Sequence, residues 1–169
     1  QARYFMRDIG AFRANAERAI SLNPRNTDSV AMIGILMGYS GDWTRSVELT
    51  TGAMRLNPHH AGWYYFNTFF NEYRQRHYSE ALAIAQKMNL PDYWATPMVL
   101  AIAHAQLGNE AEAQATIEDL FRIWPDFMEE YHQQGLVKWM FRQPDLIEHV
   151  NEGLRKAGID LEAPGSAAD

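Results

Sequence analysis

Residues Asn26–Pro58, NTDSVAMIGILMGYSGDWTRSVELTTGAMRLNP, decide the architecture. They read as two amphipathic helices, over about 27–39 and about 43–56, with Ser40-Gly41-Asp42 between them. Asn26 or Thr27 can cap the first helix, Gly41-Asp42 supplies a tight turn and the next cap, and Pro58 stops the second helix. The closing tripeptide Leu56-Asn57-Pro58 repeats Leu22-Asn23-Pro24, so the two prolines stand 34 residues apart. Pro125, in Ile123-Trp124-Pro125, lies 67 residues beyond Pro58, which is two periods less one residue. A helix–turn–helix recurring at this period marks a helical solenoid, in which a single unit cannot bury its apolar face alone. Such a repeat specifies an architecture and a general mode of action, not a partner.

The chain has 169 residues, 47% of them hydrophobic, enough for one domain or a short array with a continuous core. It has no cysteine, which excludes a disulfide frame and a thiolate metal site and points to a reducing, cytoplasmic setting. The formal charge of -6 argues against a nucleic-acid surface. Five arginines against two acids in residues 1–25 read as a solvated helix face. No apolar run approaches the about 18 residues that span a bilayer, so no membrane partner is expected. Residues 1–7 lack the apolar middle of a signal peptide, and the chain opens on Gln1, which reads as part of something longer or as a processed form.

In chain order, Asp8–Leu22 carries Ile9, Phe12, Ala16, Ala19 and Ile20 on one face and stands as the second helix of a half repeat, 1–25, whose first helix survives only near Arg3–Met6. The unit over about 26–59 resembles the tetratricopeptide repeat, W-x2-L-G-x2-Y then A-x3-F, A and P. In that frame Val30 takes the Trp place, Ile33-Gly34 the Leu-Gly pair and Met37 the Tyr place. Ser46 and Thr50 stand where Ala and Phe are usual, while Ala53 and Pro58 match. Gly34 is small where the two helices must approach closely. The unit over 92–125 fits the frame better, with Leu100-Ala101, His104, Leu107-Gly108, Ala113, Ile117, Leu120 and Pro125 on the repeat spacing.

The unit between them, about 60–91, has a clear second helix from Tyr78 through Met88 and an aromatic first helix. Counting from Pro58 and from Ala81 gives registers one residue apart, leaving Asn67 or Thr68 in the small-residue place. Two stripes are legible, Trp63, Phe66, Phe70 and Tyr73, and beside it Tyr65 and Phe69; one packs on the second helix and the other looks into the groove or the next repeat. Residues 126–158 form a degenerate capping repeat, with a first helix through Met140 and a second from Pro144 to Gly158 that shows a polar outer face of Glu148, His149, Asn151, Glu152, Arg155 and Lys156. Residues 159–169 read as a disordered tail. The whole is expected to be all-α, a right-handed superhelix of stacked antiparallel pairs with about nine helices.

Chemistry is thinly represented. His59-His60 are adjacent and point apart, with no third ligand at metal spacing. His149-Val150-Asn151-Glu152 lacks the second histidine of a metalloprotease pattern and reads as a solvated face; Glu129-Glu130-Tyr131-His132 has no nucleophile near it. There is no Gly-rich phosphate loop and no Gly-x-Ser-x-Gly, so the expectation is no enzyme, no metal and no cofactor.

In tetratricopeptide arrays the first helices line the concave surface. Here they present Ala31, Met32, Ile35 and Tyr39, then Tyr65 and Phe69, then Ala95, Met98, Val99 and Ile102. The lysines, arginines and asparagines by which arrays of this family hold acidic C-terminal tails are missing there. An apolar helix or extended segment suits the surface better, with methionine and aromatic side chains adapting to it; alternatively the groove is filled by the array's own aromatics or by a second copy of the chain.

Phrases such as Arg7-Asp8-Ile9-Gly10, Leu56-Asn57-Pro58-His59-His60-Ala61-Gly62-Trp63-Tyr64, Asn89-Leu90-Pro91 and Glu152-Gly153-Leu154-Arg155-Lys156-Ala157-Gly158 also resemble the C-terminal tetratricopeptide region of bacterial multidomain signalling proteins. In those, the region follows a class III adenylate/guanylate cyclase domain or a winged-helix domain. The resemblance covers nearly all of 1–158 and implies an interaction or regulatory module; no cyclase metal-binding aspartate has a counterpart here. The partner is then a protein, a peptide or another domain of the same protein. A homodimer through Tyr65 and Phe69 is the alternative, and small-molecule sensing near Trp63 and Tyr93-Trp94 a third.

Overall fold

A computed structural model describes residues 8–162; the helix remnant near Arg3–Met6 and the tail beyond Glu162 lie outside the described residues. The described residues form ten α-helices and no strand: α1 (Ile9–Leu22), α2 (Thr27–Tyr39), α3 (Trp43–Leu56), α4 (Tyr65–Arg74), α5 (Tyr78–Ala85), α6 (Ala95–Gln106), α7 (Glu110–Ile123), α8 (Phe127–Gln134), α9 (Leu136–Met140) and α10 (Pro144–Lys156). A 3-10 turn, Gly62–Tyr64, leads into α4. The tenth helix arises because Gly135, at φ 58°, breaks the first helix of the last unit into α8 and α9.

The starts follow the sequence chemistry. The Asp8, Asn26 and Asp42 side chains each accept a backbone N–H three residues on, at 3.1, 3.1 and 3.2 Å, and so cap α1, α2 and α3. Helices α2 and α3, α4 and α5, and α6 and α7 pack as three successive hairpins, each in contact with the next. At Gly34 α2 and α3 approach closely. A Cβ there would sit 2.5 Å from Thr50 Oγ1 and 3.1 Å from the Ser46 carbonyl.

The tight turn after each first helix needs one residue at positive φ. Gly41 (104°), Arg76 (65°) and Gly108 (77°) fill that place, 35 and then 32 residues apart. The irregular spacing gives the one-residue slip around residue 60 a physical form. The 3-10 turn lengthens the approach to α4, and α5 has 8 residues where α3 and α7 have 14. The second helix of this unit thus ends at Ala85 rather than Met88, and Met88 closes the unit as a fully buried side chain.

The last helices do not simply extend the stack. Helix α10 folds back onto α6 and reaches α4, so it lies across the first helices of earlier hairpins. Two expectations change as a result. His149 and Asn151, expected on a polar outer face, are 9% and 8% exposed, because that side of α10 meets Tyr73, Tyr78 and Tyr131. Ile159 and Leu161, expected in a disordered tail, are buried, and Ile159 N–H donates to the Leu154 carbonyl at 3.1 Å.

Candidate functional site

Two features share the face built by the first helices: a polar and aromatic seam holding the C-terminal arm, and an apolar cavity beside it. The seam begins where α2 ends. The last carbonyls of a helix lack partners within it, and here the arm supplies them. Arg142 N–H donates to the Tyr39 carbonyl at 3.0 Å, and Gln143 Nε2 donates to the Tyr39 and Gly38 carbonyls at 2.8 and 3.3 Å. Trp43 Nε1–H donates to Gln143 Oε1 at 2.7 Å, and the Arg74 guanidinium lies 5.0 Å from the Trp43 ring. Phe141 packs edge-on against Tyr39 and Phe70, with centroids 4.6 and 4.8 Å away.

Farther along the arm, Gly153 lets α10 close on its neighbours. Any side chain there would run into the Tyr73 hydroxyl and Ile102. Tyr73 O–H donates to the His149 carbonyl at 3.2 Å, its ring stacks on the imidazole at 4.6 Å, and Tyr78 O–H lies 2.8 Å from His149 Nε2. Burial, with the Arg76 and Lys156 charges adding to it against Glu152, holds the imidazole below its ordinary pKa. In the neutral ring Nε2 accepts the Tyr78 proton or donates to its oxygen according to the tautomer. Burial also pushes the Tyr73 phenol well above its usual range, so it stays a donor.

The cavity encloses about 490 Å³. Helix α2 forms one wall with Met32, Ile35, Leu36 and Tyr39; Trp63 and Phe66 form another; Leu90, Tyr93, Trp94 and Ala95 close the third side; Trp139 and Met140 of α9 lie over it. Among the described residues the lining carries no charged side chain.

Of the ten residues expected to line a groove, the structure brings Met32, Ile35, Tyr39 and Ala95 together around this cavity. Ala31, Phe69, Met98, Val99 and Ile102 are instead wholly buried, and Tyr65 turns aside to pack on His60 at 5.0 Å. The two aromatic stripes also divide differently from expectation. Phe66, Phe69, Phe70 and Tyr73 make one buried face, as i, i+3, i+4 and i+7 positions do, and Trp63 and Phe66 reach the cavity. Of the pair named for self-association, Phe69 has no exposed surface and only Tyr65, half-buried, reaches it. The Trp139-Met140 wall and the Arg142-Gln143 tie escaped sequence reasoning. Only the break at Gln143-Pro144 marked that place.

The other candidates stand apart from both features. His60 stacks on Tyr64 at 4.9 Å, and Tyr131 O–H donates to Asn151 Oδ1 at 3.0 Å. No group of three or more potential metal-ligating side chains occurs among the described residues, and no helix there is long and apolar enough to cross a membrane.

No protein-family model matches the chain, and no curated protein matches it. Solved structures of MamA are similar in fold. One MamA crystal structure aligns with TM-score 0.58 at 16% identity over 93% of this chain and 91% of its own, and another with TM-score 0.57 at 17% identity over 87% and 86%. MamA from Desulfovibrio magneticus RS-1 aligns with TM-score 0.55 at 16% identity over 88% of this chain and 92% of its own. At such identities the likeness establishes the fold alone, and that fold is an all-helical, tetratricopeptide-type solenoid.

Proposed function

We propose that this chain is a non-catalytic interaction module whose first-helix face holds an amphipathic helix of a protein partner or of another domain of the same protein. The supporting observation is that this face already holds one: α10, with Leu146, Val150 and Leu154 buried on one side and Glu148, Arg155 and Lys156 exposed on the other. Helix-in-groove recognition uses this pattern of anchors three and four residues apart. The partner helix takes the place of α10, and a small residue at the Gly153 position is part of what it must offer. The resemblance of 1–158 to the C-terminal region of bacterial signalling proteins supports a cytoplasmic module acting beside a cyclase or winged-helix domain.

The test uses a fluorescent peptide with the sequence of residues 144–156 and the full chain carrying Gly153→Leu, whose own α10 can no longer seat against Tyr73 and Ile102. Fluorescence anisotropy is expected to show the peptide binding the variant at least about tenfold more tightly than the wild type, a difference of about 1.4 kcal/mol. Equal binding to both, or none to the variant while circular dichroism shows it folded, refutes the proposal.

A further inference from the structure

We infer that the cavity between α2, the start of α4 and α9 is a binding site for a neutral, ring-bearing small organic molecule, separate from the surface that α10 occupies. Its volume, about 490 Å³, lies within the range of small-molecule pockets. None of its lining residues belongs to α10.

The lining decides the ligand class. Trp63, Trp94, Tyr93 and Phe66 present ring surfaces, and the described lining side chains have indole N–H and phenol O–H as their polar groups, with no carboxylate, ammonium or guanidinium. A charged ligand would lose its hydration there without gaining a counter-ion from the described lining side chains. An extended peptide would bring backbone N–H and C=O groups that this wall leaves unpartnered. A planar molecule with at most a carbonyl or ether oxygen loses little: its rings pack on the aromatic faces, and its acceptor meets an indole or phenol donor. Tyr93 and Trp139, each 44% exposed, stand at the mouth, where such a molecule would enter.

A matched pair of dyes tests this. N-phenylnaphthylamine is neutral; anilinonaphthalene sulfonate carries the same rings with a fixed negative charge. Titrated into the full chain, the neutral dye is expected to bind saturably at one equivalent, with energy transfer from the cavity tryptophans, and at least about tenfold more tightly than the anion. Met32→Trp, which fills the cavity from a half-buried position, is expected to weaken the neutral dye at least about tenfold. Leu22→Ser removes an apolar side chain that is 77% exposed outside the cavity and should leave binding unchanged. The inference is overturned by no saturable binding of the neutral dye, by an anion that binds as tightly, or by a folded Met32→Trp chain that binds like the wild type. Weakening by Leu22→Ser would show adhesion to exposed apolar surface and also overturn it.

Discussion

Asn67 sits fully buried where α3 meets α4, opposite Ser46 and Thr50, which are also fully buried. Its Nδ2 donates to the Ser46 carbonyl at 3.1 Å and to Thr50 Oγ1 at 2.9 Å; the Ser46 hydroxyl, with one proton to give, lies 2.6 Å from Asn67 Oδ1 and 2.7 Å from the Gly34 carbonyl. These are the two places where alanine and phenylalanine are usual in the repeat, so a polar cluster has replaced an apolar contact and tied the first hairpin to the second. Removing Asn67 leaves the Ser46 hydroxyl its bond to the Gly34 carbonyl but takes the buried Thr50 Oγ1's donor away, which costs more than the net worth of the bond itself. Asn67→Ala is expected to destabilise the chain by about 2–3 kcal/mol, measured as a shift of the urea midpoint with the slope unchanged. A loss below about 0.5 kcal/mol would mean that the cluster contributes nothing beyond filling space.

Among the elements, the turns after the first helices carry the clearest imbalance. Gly41 and Gly108 adopt positive φ without strain, whereas Arg76 holds the same conformation with a Cβ. Arg76→Gly is expected to raise stability by about 0.5–1 kcal/mol, the left-handed penalty less the added freedom of the unfolded glycine; thermal unfolding at pH 8, where His149 is neutral in both variants, checks it. The hairpins themselves were legible beforehand, because caps at Asn26 and Asp42, the glycine turns and the small Gly34 are local signals. The slipped register of the second hairpin showed as an inconsistency of one residue. Its effect on the aromatic stripes did not show, since a 3-10 turn rotates each residue by a different angle from an α-helix and every ring in α4 is apolar enough to be buried. That is why the sequence places Phe69 in a groove, although it also names Trp63 with Tyr93-Trp94 as an aromatic pocket. Four of the ten expected residues meet around the cavity, and Trp139 and Met140, about a hundred residues along the chain from Tyr39, lie over it.

For the molecule as a whole, the C-terminal arm decides how the array behaves in solution. His149 is buried neutral between Tyr73 and Tyr78, with Arg76 facing it from the α4–α5 turn and Glu152 and Lys156 on its own helix. Its folded pKa lies below the unfolded value of about 6.5. Below that value the unfolded chain binds the proton more readily than the folded one, so stability falls as the pH drops from the unfolded pKa toward the folded one and is fully present above it. Melting temperature is expected to decline between about pH 7 and pH 5, and His149→Asn should flatten the decline relative to the wild type. An unchanged slope would place the acid sensitivity elsewhere. The arm's return across the molecule had no signature in sequence, because its first ties are backbone groups: an amide of residue 142 and the carbonyl of residue 39 look like any others.

That tie between residues 39 and 142 has a mechanical consequence. In an open row of repeats each unit leans only on its neighbours, and the row can fray from either end one unit at a time. Here α3 and the two hairpins after it lie between the tied residues, so opening any one of them while the clasp holds would strain the others. The array should therefore resist stretching like a closed buckle, and whatever unfastens the arm would slacken the whole coil at once.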